Sequence, residues 1–462
     1  MKRNNLWQII VINLIASGLL TVSVASQTNP QHPTDAVTYN NLGLKHAQEG
    51  RYREAVEAYK QALRIEPQLA ELHFNLGTAY YKAGRYEEAI IYLKRTINLK
   101  PDYAKAHNNL GLALSYSGQR KEAIAAYQHA LKLDPDLAGA HCNLGTEYYD
   151  LSQYEDAIKS FNRAIQLNPT FVEALNNLGM AYADSNRSNE AVETLTRVMS
   201  IKADLPEAHY NLGYTYNKAN RHTEAIGALK QAISLKRDYA MAHGLLGAVY
   251  AASGDYQQAI ASLRRAISLR PDMTQAHNNL GYAYFNMEQY EEAVAAYRQA
   301  IHYNPDNIVA HNNLGQVYDR LGRHTEALAS FTRALQLDPH HADAHSNLAV
   351  TYRKLGRYKE AVESCQRAIN LKPGLAEAHN NLGATYHTMG QHKVAIESYR
   401  RAISFDPNYL EAHFNLGVVY LSARNRGAAL AQHQILKTLD QKLADEFFKV
   451  IHRDKILNVS SK

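Results

Sequence analysis

The octet AEAHNNLG occupies residues 376–383, and close variants of it recur along the chain at a constant spacing. It reads AKAHNNLG at 104–111, TQAHNNLG at 274–281 and LEAHFNLG at 410–417. Counting from its last residue, a small side chain returns every 34 residues from Gly43 to Gly417, which gives twelve registers without an insertion or deletion. Such a period predicts a solenoid in which each repeat is one supersecondary unit.

Each repeat contains two helical stripes separated by a turn. We number the repeats so that the small residue is position 8, which places the first repeat at 36–69 and the twelfth at 410–443. Positions 4, 7, 8 and 11 form one stripe, and positions 20, 21, 24, 27 and 28 form the second. Position 15 is Gly in seven repeats and Asn in two, the residues that tolerate a left-handed helix end. Position 32 is Pro in nine repeats, which ends the second helix.

These positions resemble the tetratricopeptide repeat family. Leu occurs at position 7 and Ala at position 20 in all twelve repeats, and Tyr occurs at position 11 in ten. The resemblance implies an all-α fold, a right-handed superhelical solenoid of twelve 34-residue helix-turn-helix units with a C-terminal capping helix. It also implies a concave groove formed mainly by the first helix of each unit. The octet itself is most similar to the repeats of O-linked N-acetylglucosamine transferases.

The N-terminus differs from the repeats. Lys2 and Arg3 precede an apolar run that ends in small residues at Ser26, the pattern of a secretory signal peptide. We therefore expect export across a membrane, to the periplasm or the exterior if the source is bacterial. An uncleaved anchor is the alternative. The predicted division is 1–26 signal peptide or anchor, 27–35 linker, 36–443 twelve repeats, and 444–462 the end of a capping helix with a short tail.

Two stretches depart from the repeat pattern. Ala203 and Arg237 replace the proline of position 32, so a bend or flexible seam is expected near 200–245. In the twelfth repeat we expect the second helix to continue through 443–454, so that 430–454 forms a capping helix. Terminal repeats need such a cap to cover their last apolar surface, and Phe447, Phe448 and Ile451 are the expected cover.

Histidine recurs at position 4, on the stripe that packs against neighbouring helices. At about 100° per residue this position shares one side of the helix with positions 7, 8 and 11. We expect packed rings with one nitrogen hydrogen-bonded. Histidines of successive repeats lie about 8–10 Å apart and cannot share a metal ion, so no metal site is predicted. The ten histidines are His73, His107, His141, His209, His243, His277, His311, His345, His379 and His413.

Asparagine recurs at position 6, on the opposite side of the same helix, where positions 2, 9 and 13 also lie. A carboxamide offers donors and an acceptor that suit a peptide backbone, and the similar ladder of O-linked N-acetylglucosamine transferases is used in this way. The alternative is a feature common to such repeats in general. These residues, the asparagine ladder, are Asn41, Asn75, Asn109, Asn143, Asn177, Asn211, Asn279, Asn313, Asn347, Asn381 and Asn415.

Charged and aromatic side chains vary along the same face and are expected either to select a ligand or to form a solvated surface. Arg320, Arg353 and Lys354 form one basic patch, which we include among the candidate peptide-binding residues. Position 2 is acidic in six repeats: Glu71, Glu173, Glu207, Asp343, Glu377 and Glu411. Aromatic side chains are expected on this face at Tyr81, Tyr149, Tyr214, Tyr282 and Phe285.

Composition and motifs limit the function. The charge of +6 is spread without a run of like charges, so no nucleic-acid partner is predicted. Cys142 and Cys365 occupy different positions six repeats apart and should be free thiols. No catalytic motif occurs, so we predict no enzyme and no cofactor.

The predicted function is a protein- or peptide-binding scaffold that holds extended polypeptide in the groove, with a membrane involved only through an uncleaved N-terminal segment. One alternative is an accessory subunit of an envelope secretion or assembly complex. Another is the regulatory arm of a glycosyltransferase, although no catalytic domain accompanies the repeats in this sequence.

Overall fold

The structure, a computed structural model, describes residues 35–459, with side chains through residue 452. The secondary structure in this range consists of 25 α-helices. They divide into two compact units, and the division falls between Arg237 and Asp238, inside the stretch where the sequence departs from its pattern. The all-α fold predicted from the repeat is therefore confirmed.

The first unit contains six helix pairs. Their bounds are α1 Ala36–Gln48, α2 Tyr52–Ile65, α3 Ala70–Lys82, α4 Tyr86–Leu99, α5 Ala104–Tyr116, α6 Arg120–Leu133, α7 Ala138–Asp150, α8 Tyr154–Leu167, α9 Val172–Asp184, α10 Ser188–Ile201, α11 Pro206–Lys218 and α12 His222–Leu235. The second unit contains six further pairs and one additional helix. Their bounds are α13 Ala240–Ala252, α14 Tyr256–Leu269, α15 Thr274–Asn286, α16 Tyr290–Tyr303, α17 Ile308–Arg320, α18 His324–Leu337, α19 Ala342–Lys354, α20 Tyr358–Leu371, α21 Ala376–Thr388, α22 His392–Phe405, α23 Leu410–Ser422, α24 Arg426–Leu439 and α25 Gln441–Val459.

The turn inside every pair contains one residue in the left-handed region. That residue is always position 15, and its φ lies between 56° and 82° in all twelve repeats. Seven of the twelve are Gly, which has no Cβ to clash with the following carbonyl. The other five adopt the same φ although the conformation costs a side-chain-bearing residue about 1 kcal/mol. They are Ser152, Asn186, Asn220, Glu288 and Arg424.

Small side chains let the two helices of a pair approach closely. The alanine at position 20 is fully buried in all twelve repeats. A Cβ added to Gly315 would lie 2.7 Å from the ring of Phe331, at position 24 of the same repeat. The tenth repeat has Ala349 at position 8, and there position 24 is the smaller Cys365. Positions 8 and 24 thus share one fixed volume.

The histidines of position 4 hold neighbouring repeats together. In nine of the ten, Nε2 lies 2.9–3.2 Å from the backbone carbonyl oxygen of the residue six positions earlier, which is position 32 of the preceding repeat. Because a carbonyl only accepts, Nε2 carries the hydrogen. His209 makes the same bond to Ala203, so the contact does not require proline. The prediction of a packed ring with one bonded nitrogen is confirmed.

The C-terminal cap differs from the prediction. A single helix over 430–454 is wrong, because α24 ends at Leu439 and Asp440 is extended, with φ −151° and ψ 104°. The Asp440 carboxylate then accepts a hydrogen bond of 2.9 Å from the amide of Leu443, which starts α25. The boundary placed at 443/444 falls inside a helix, as expected, but that helix is α25, which begins at Gln441.

The apolar cover of the last repeat comes from α25. Phe447 lies against Gly417, where the position-24 side chain of the same repeat packs in earlier repeats, and both Phe447 and Ile451 are buried. Phe448 does not cover this surface, since it is 46% exposed and lies beside the ring of His433. Of the three residues expected in the cover, the structure supports two.

Candidate functional site

Four rows of first-helix side chains converge in one groove of the second unit. The groove has a cavity volume of about 770 Å³ and is lined by repeats 8 to 11. Each of the four positions predicted to face away from the packed stripe contributes two residues to it. Position 2 supplies Asp343 and Glu377, position 6 supplies Asn347 and Asn381, position 9 supplies Gln316 and Val350, and position 13 supplies Arg320 and Lys354.

The predicted basic patch is only partly assembled. Arg320 and Lys354 line the groove, whereas Arg353 does not. The Arg353 Nε is buried without a hydrogen-bond partner among the described residues. Burial raises the pKa of Cys365 to about 12, with the charge of Arg353 opposing the shift, so this arginine faces the second helix. Position 12 lies only about 80° from the packed stripe, which explains this orientation.

The asparagine ladder has a structural bond that the sequence analysis did not predict. In six rungs the Nδ2 atom donates to the side chain at position 5 of the preceding repeat, 35 residues earlier, over 2.9–3.1 Å. The acceptor is an asparagine Oδ1 in five of them and Ser346 Oγ in the sixth. The six donors are Asn75, Asn143, Asn211, Asn347, Asn381 and Asn415.

Two further rungs use a substitute acceptor one turn away. Position 5 of repeats 2 and 4 is Phe74 and Cys142, which offer no oxygen. Asn109 donates instead to Thr78 Oγ1 at 3.1 Å, and Asn177 donates to Thr146 Oγ1 at 3.4 Å. Both threonines occupy position 9, next to position 5 on the same helix face. A polar residue at position 5, or a threonine at position 9, is therefore a signal in the sequence for this bond, with the exception of Asn278, whose Oδ1 at position 5 is buried without a partner among the described residues.

The Oδ1 atoms of the ladder asparagines differ in their hydrogen-bond partners. Asn109 and Asn313 accept from the neighbouring Asn108 and Asn312, at 3.2 and 3.3 Å, and Asn279 accepts from Gln275. Asn177 Oδ1 is buried without a partner among the described residues. No donor within the described part of the chain reaches Oδ1 of Asn347, Asn381 or Asn415, and these oxygens are not among the buried atoms that lack a partner. The ladder oxygens are thus of three kinds: those that accept a hydrogen bond within the chain, one that is buried without a partner, and those that are neither bonded nor buried.

The two edges of the groove carry opposite charges. Asp343 and Glu377 lie at the N-terminal ends of their helices, while Arg320 and Lys354 lie at the C-terminal ends, an arrangement that helix dipoles favour. Lys372 adds a cation at the acidic edge. No ion pair joins Asp343, Glu377 or Arg320 to another described side chain, so their charges remain available to a ligand.

Asp319 contacts several residues at the basic edge of the groove. Its carboxylate accepts from Thr351 Oγ1 at 2.7 Å and contacts His324 Nδ1 at 2.8 Å. Lys354 Nζ donates to the Asp319 backbone oxygen at 3.2 Å, and the Arg320 guanidinium lies 5.9 Å from the centre of the Phe285 ring. These contacts hold the two cations in place at the edge of the groove.

The corresponding face of the first unit is more closely packed. Asp184 accepts from the Tyr149 hydroxyl, from the Tyr214 hydroxyl at 2.8 Å and from Lys218 Nζ at 3.0 Å. Tyr81 is buried against Tyr116. The aromatic residues expected on a ligand-binding face are therefore used here in contacts between repeats.

Carboxyl groups on this face are desolvated. Burial raises the pKa of Glu173 to about 7, and no described side chain forms a hydrogen bond or ion pair with it. Burial also raises the pKa of Glu147, although Ser115 and Arg120 donate hydrogen bonds to it, the latter at 3.0 Å. Asn177 and Asn211, the ladder rungs here, are only 5% and 4% exposed. Repeats 5 and 6 therefore offer less accessible ladder surface than repeats 10 to 12, whose ladder asparagines are half-buried.

The described part of the chain contains neither a cluster of metal ligands nor a helix suited to span a membrane. Within it, no group of three or more histidine, cysteine, aspartate or glutamate side chains is arranged to hold a metal ion. Within residues 35–459, no helix combines the length and apolar composition that a membrane span requires. Cys142 and Cys365 are free thiols, as expected, and both are buried. The predicted signal peptide and most of the predicted linker lie outside the described residues.

Family profiles match most of the repeats. One described as TPR repeat matches residues 43–84, 78–118, 145–186 and 389–422. Two described as tetratricopeptide repeat match 104–137 and 172–205. A profile of the C-terminal domain of cilia and flagella-associated protein 70 matches 198–384. A comparison with curated proteins finds no significant match.

Two solved structures are similar over most of their own length. The crystal structure of the APC/C hetero-tetramer Cut9-Hcn1 is 14% identical, with a TM-score of 0.50, and the match covers 90% of this chain and 96% of that chain. The crystal structure of MamA is 29% identical, with a TM-score of 0.33, and the match covers 35% of this chain and 95% of that chain. The first likeness confirms the predicted class of repeat solenoid.

Proposed function

Since this chain is built of tetratricopeptide repeats, a family that generally serves as protein-interaction scaffolds, we propose that it is a non-enzymatic scaffold that holds extended polypeptide in the groove of its second unit. The observation that carries the proposal is the row of ladder amides on the groove floor. The inter-repeat bond fixes their orientation, so little side-chain entropy is lost on binding. A polar floor between charged edges favours a polypeptide backbone over an apolar ligand.

The likeness of the octet to the repeats of O-linked N-acetylglucosamine transferases supports the same use of the ladder. In this proposal the resemblance concerns recognition of the backbone and not glycosyl transfer. Arg320 and Lys354 on one edge, with Asp343 and Glu377 on the other, would add preference among side chains. No specific observation in the structure favours the alternative function, an accessory subunit of an envelope secretion or assembly complex.

The proposal is tested with one polypeptide in two states. A fluorescein-labelled protein is prepared folded, with its disulfides intact, and unfolded, with its cysteines reduced and alkylated. The full chain should raise the fluorescence anisotropy of the unfolded probe and leave that of the folded probe unchanged. Replacing Asn313, Asn347 and Asn381 by Ala should weaken binding without lowering helicity measured by circular dichroism. Equal binding of both probes, or unchanged affinity in the variant, would contradict the proposal.

We also propose that the scaffold acts after export. Residues 1–26 combine two N-terminal cations, an apolar segment and small residues at the expected cleavage point. Mass spectrometry of the protein from a fractionated native source should find it outside the cytoplasm with an N-terminus near residue 27. A cytoplasmic protein that keeps residues 1–26 would contradict export, and an intact membrane-bound form would support the anchor.

A further inference from the structure

Three consecutive rungs of the ladder share one hydrogen-bonding state. The Nδ2 atoms of Asn347, Asn381 and Asn415 donate to the preceding repeat at 3.1, 3.0 and 3.1 Å. Their Oδ1 atoms accept from no described side chain and are not buried, since the three residues are half-exposed. No other run of three neighbouring rungs among the described residues has this state, because the oxygen of Asn109, Asn279 or Asn313 is occupied and that of Asn177 is buried. Repeats 10 to 12 therefore present a row of three open acceptors.

The spacing of this row selects a backbone conformation. Neighbouring packed helices lie about 8–10 Å apart, so successive rungs are separated by about that distance. In a β-strand, residues facing the same side recur at about 6.6 Å. This repeat is shorter than the spacing of the ladder asparagines, so a strand that contacts one of them no longer matches the next. In a polyproline II helix, with three residues per turn and a rise of about 3.1 Å, they recur at about 9.3 Å. Only the second conformation stays in register over three rungs.

We propose that these three rungs bind a seven-residue segment in the polyproline II conformation. Oδ1 of Asn347, Asn381 and Asn415 accepts the backbone N–H groups of residues i, i+3 and i+6 of the segment, whichever way the chain runs. The N–H groups of this conformation make no internal hydrogen bond and are free to donate. The inference rests on the proposed function and specifies its ligand as a segment that is preorganised, often by proline, and keeps an N–H on every third residue.

The position-5 partners act as positioning residues for this contact. Asn312, Ser346 and Asn380 accept from the three rungs and so turn each Oδ1 away from the helix stack. The first two also line the groove. An amide without such a partner rotates freely about its last bond, and each such rotor must be fixed when a ligand binds.

Two nine-residue peptides separate N–H recognition from shape. Fluorescein-(Ala-Pro-Pro)3 is a polyproline II peptide with an N–H on residues 1, 4 and 7 only, and fluorescein-(Pro)9 has the same shape and none. The full chain should bind the first at least about tenfold more tightly, since the second peptide offers none of the three backbone hydrogen bonds. Equal affinities for the two peptides would overturn the inference.

Substitutions locate the contact on the chain. Leu is the replacement of choice because repeat 7 already has Leu245 at position 6. The triple variant Asn347→Leu, Asn381→Leu, Asn415→Leu should bind (Ala-Pro-Pro)3 no better than (Pro)9. The matched control Asn75→Leu, Asn143→Leu removes two rungs of the first unit and should leave the affinity unchanged. A triple variant that binds (Ala-Pro-Pro)3 as tightly as the unmodified chain would overturn the inference.

The scaffold proposal and the polyproline II inference fail in different ways. If the unfolded probe binds but the two nine-residue peptides are bound equally, the polyproline II inference is wrong and the scaffold proposal stands. If the unfolded probe also fails to bind, both are wrong. Should the triple variant lose helicity, the comparison of the two peptides on the unmodified chain still decides the inference.

Discussion

The side-chain Nδ2 of Asn347 donates a hydrogen bond of 3.1 Å to Oδ1 of Asn312, which occupies the neighbouring position of the preceding repeat. The same relationship joins Asn143 to Asn108 and Asn415 to Asn380. A row of amides that looks like a ligand-binding ladder is therefore also a row of contacts between repeats. The two roles are compatible because a carboxamide has two donor hydrogens and an acceptor, and the inter-repeat bond uses one donor.

Removing the acceptor at position 5 should destabilise the chain locally. In Asn312→Ala, Asn347 loses its acceptor in a half-buried site and Asn313 loses a longer bond of 3.3 Å, which together should cost about 1 kcal/mol. The measurement is amide hydrogen exchange of α17 and α19, whose protection should fall by about fivefold. Gln316→Ala, a neighbouring groove substitution with no hydrogen bond lost, serves as the control. Equal exchange in the two variants would show that the bond contributes nothing to stability.

The shared volume of positions 8 and 24 can be tested as a pair. Gly315→Ala places a Cβ 2.7 Å from the Phe331 ring and should lower the free energy of unfolding by about 1–3 kcal/mol. The double variant Gly315→Ala, Phe331→Cys reproduces the Ala349 and Cys365 combination of the tenth repeat. Its free energy of unfolding should exceed, by at least about 0.5 kcal/mol, the value expected if the effects of the two single substitutions simply added. Urea denaturation of the four proteins gives this coupling, and additive effects would contradict a shared volume.

The left-handed turn residue offers a stabilising change. Glu288 has φ 58°, so Glu288→Gly should relieve strain and raise the free energy of unfolding by about 0.5–1 kcal/mol. The reverse change at an equivalent turn, Gly322→Glu, should lower it by a similar amount, because Gly322 has φ 74°. Urea midpoints report both effects. A Glu288→Gly variant that unfolds at lower urea would mean that the glutamate side chain makes a compensating contact.

Glu173 should make stability depend on pH. Its pKa is about 7 in the folded chain against a reference of 4.5, because burial disfavours the charged carboxylate. A raised folded pKa gives a contribution that is complete below 4.5 and is lost as the pH rises through 7. Glu173→Gln should therefore match the unmodified protein near pH 4 and exceed it by roughly 1–3 kcal/mol at pH 8.

The measurement for this prediction is urea denaturation at both pH values, and effects of other groups cancel in the difference between variants. Glu377→Gln is the matched control, since Glu377 occupies the same repeat position in the second unit but is exposed. A difference between Glu173→Gln and the unmodified protein that does not change with pH would show that the carboxyl is not desolvated.

Much of this arrangement follows from one period. The 34-residue spacing predicts the helix pairs and the four rows that line the groove, because a helical wheel separates position 4 from position 6 by about 200°. Contacts made by residues at the flank of a helix were not predicted. Asn312 at position 5 and Arg353 at position 12 lie about 80–100° from the stripe, and the neighbouring helix decides which way they turn. The end of α24 was missed because Asp440 caps the next helix.

The most direct test is to ask where a bound polypeptide lies. Benzoylphenylalanine placed at Gln316, in the groove, should form a photo-crosslink with the unfolded fluorescein-labelled probe, and an excess of unlabelled unfolded protein should suppress it. The same photo-reactive residue at Val394, exposed on the second helix of repeat 11, should give little crosslinking. Crosslinks of equal yield at both sites, or only at Val394, would show that extended polypeptide is not held by this groove.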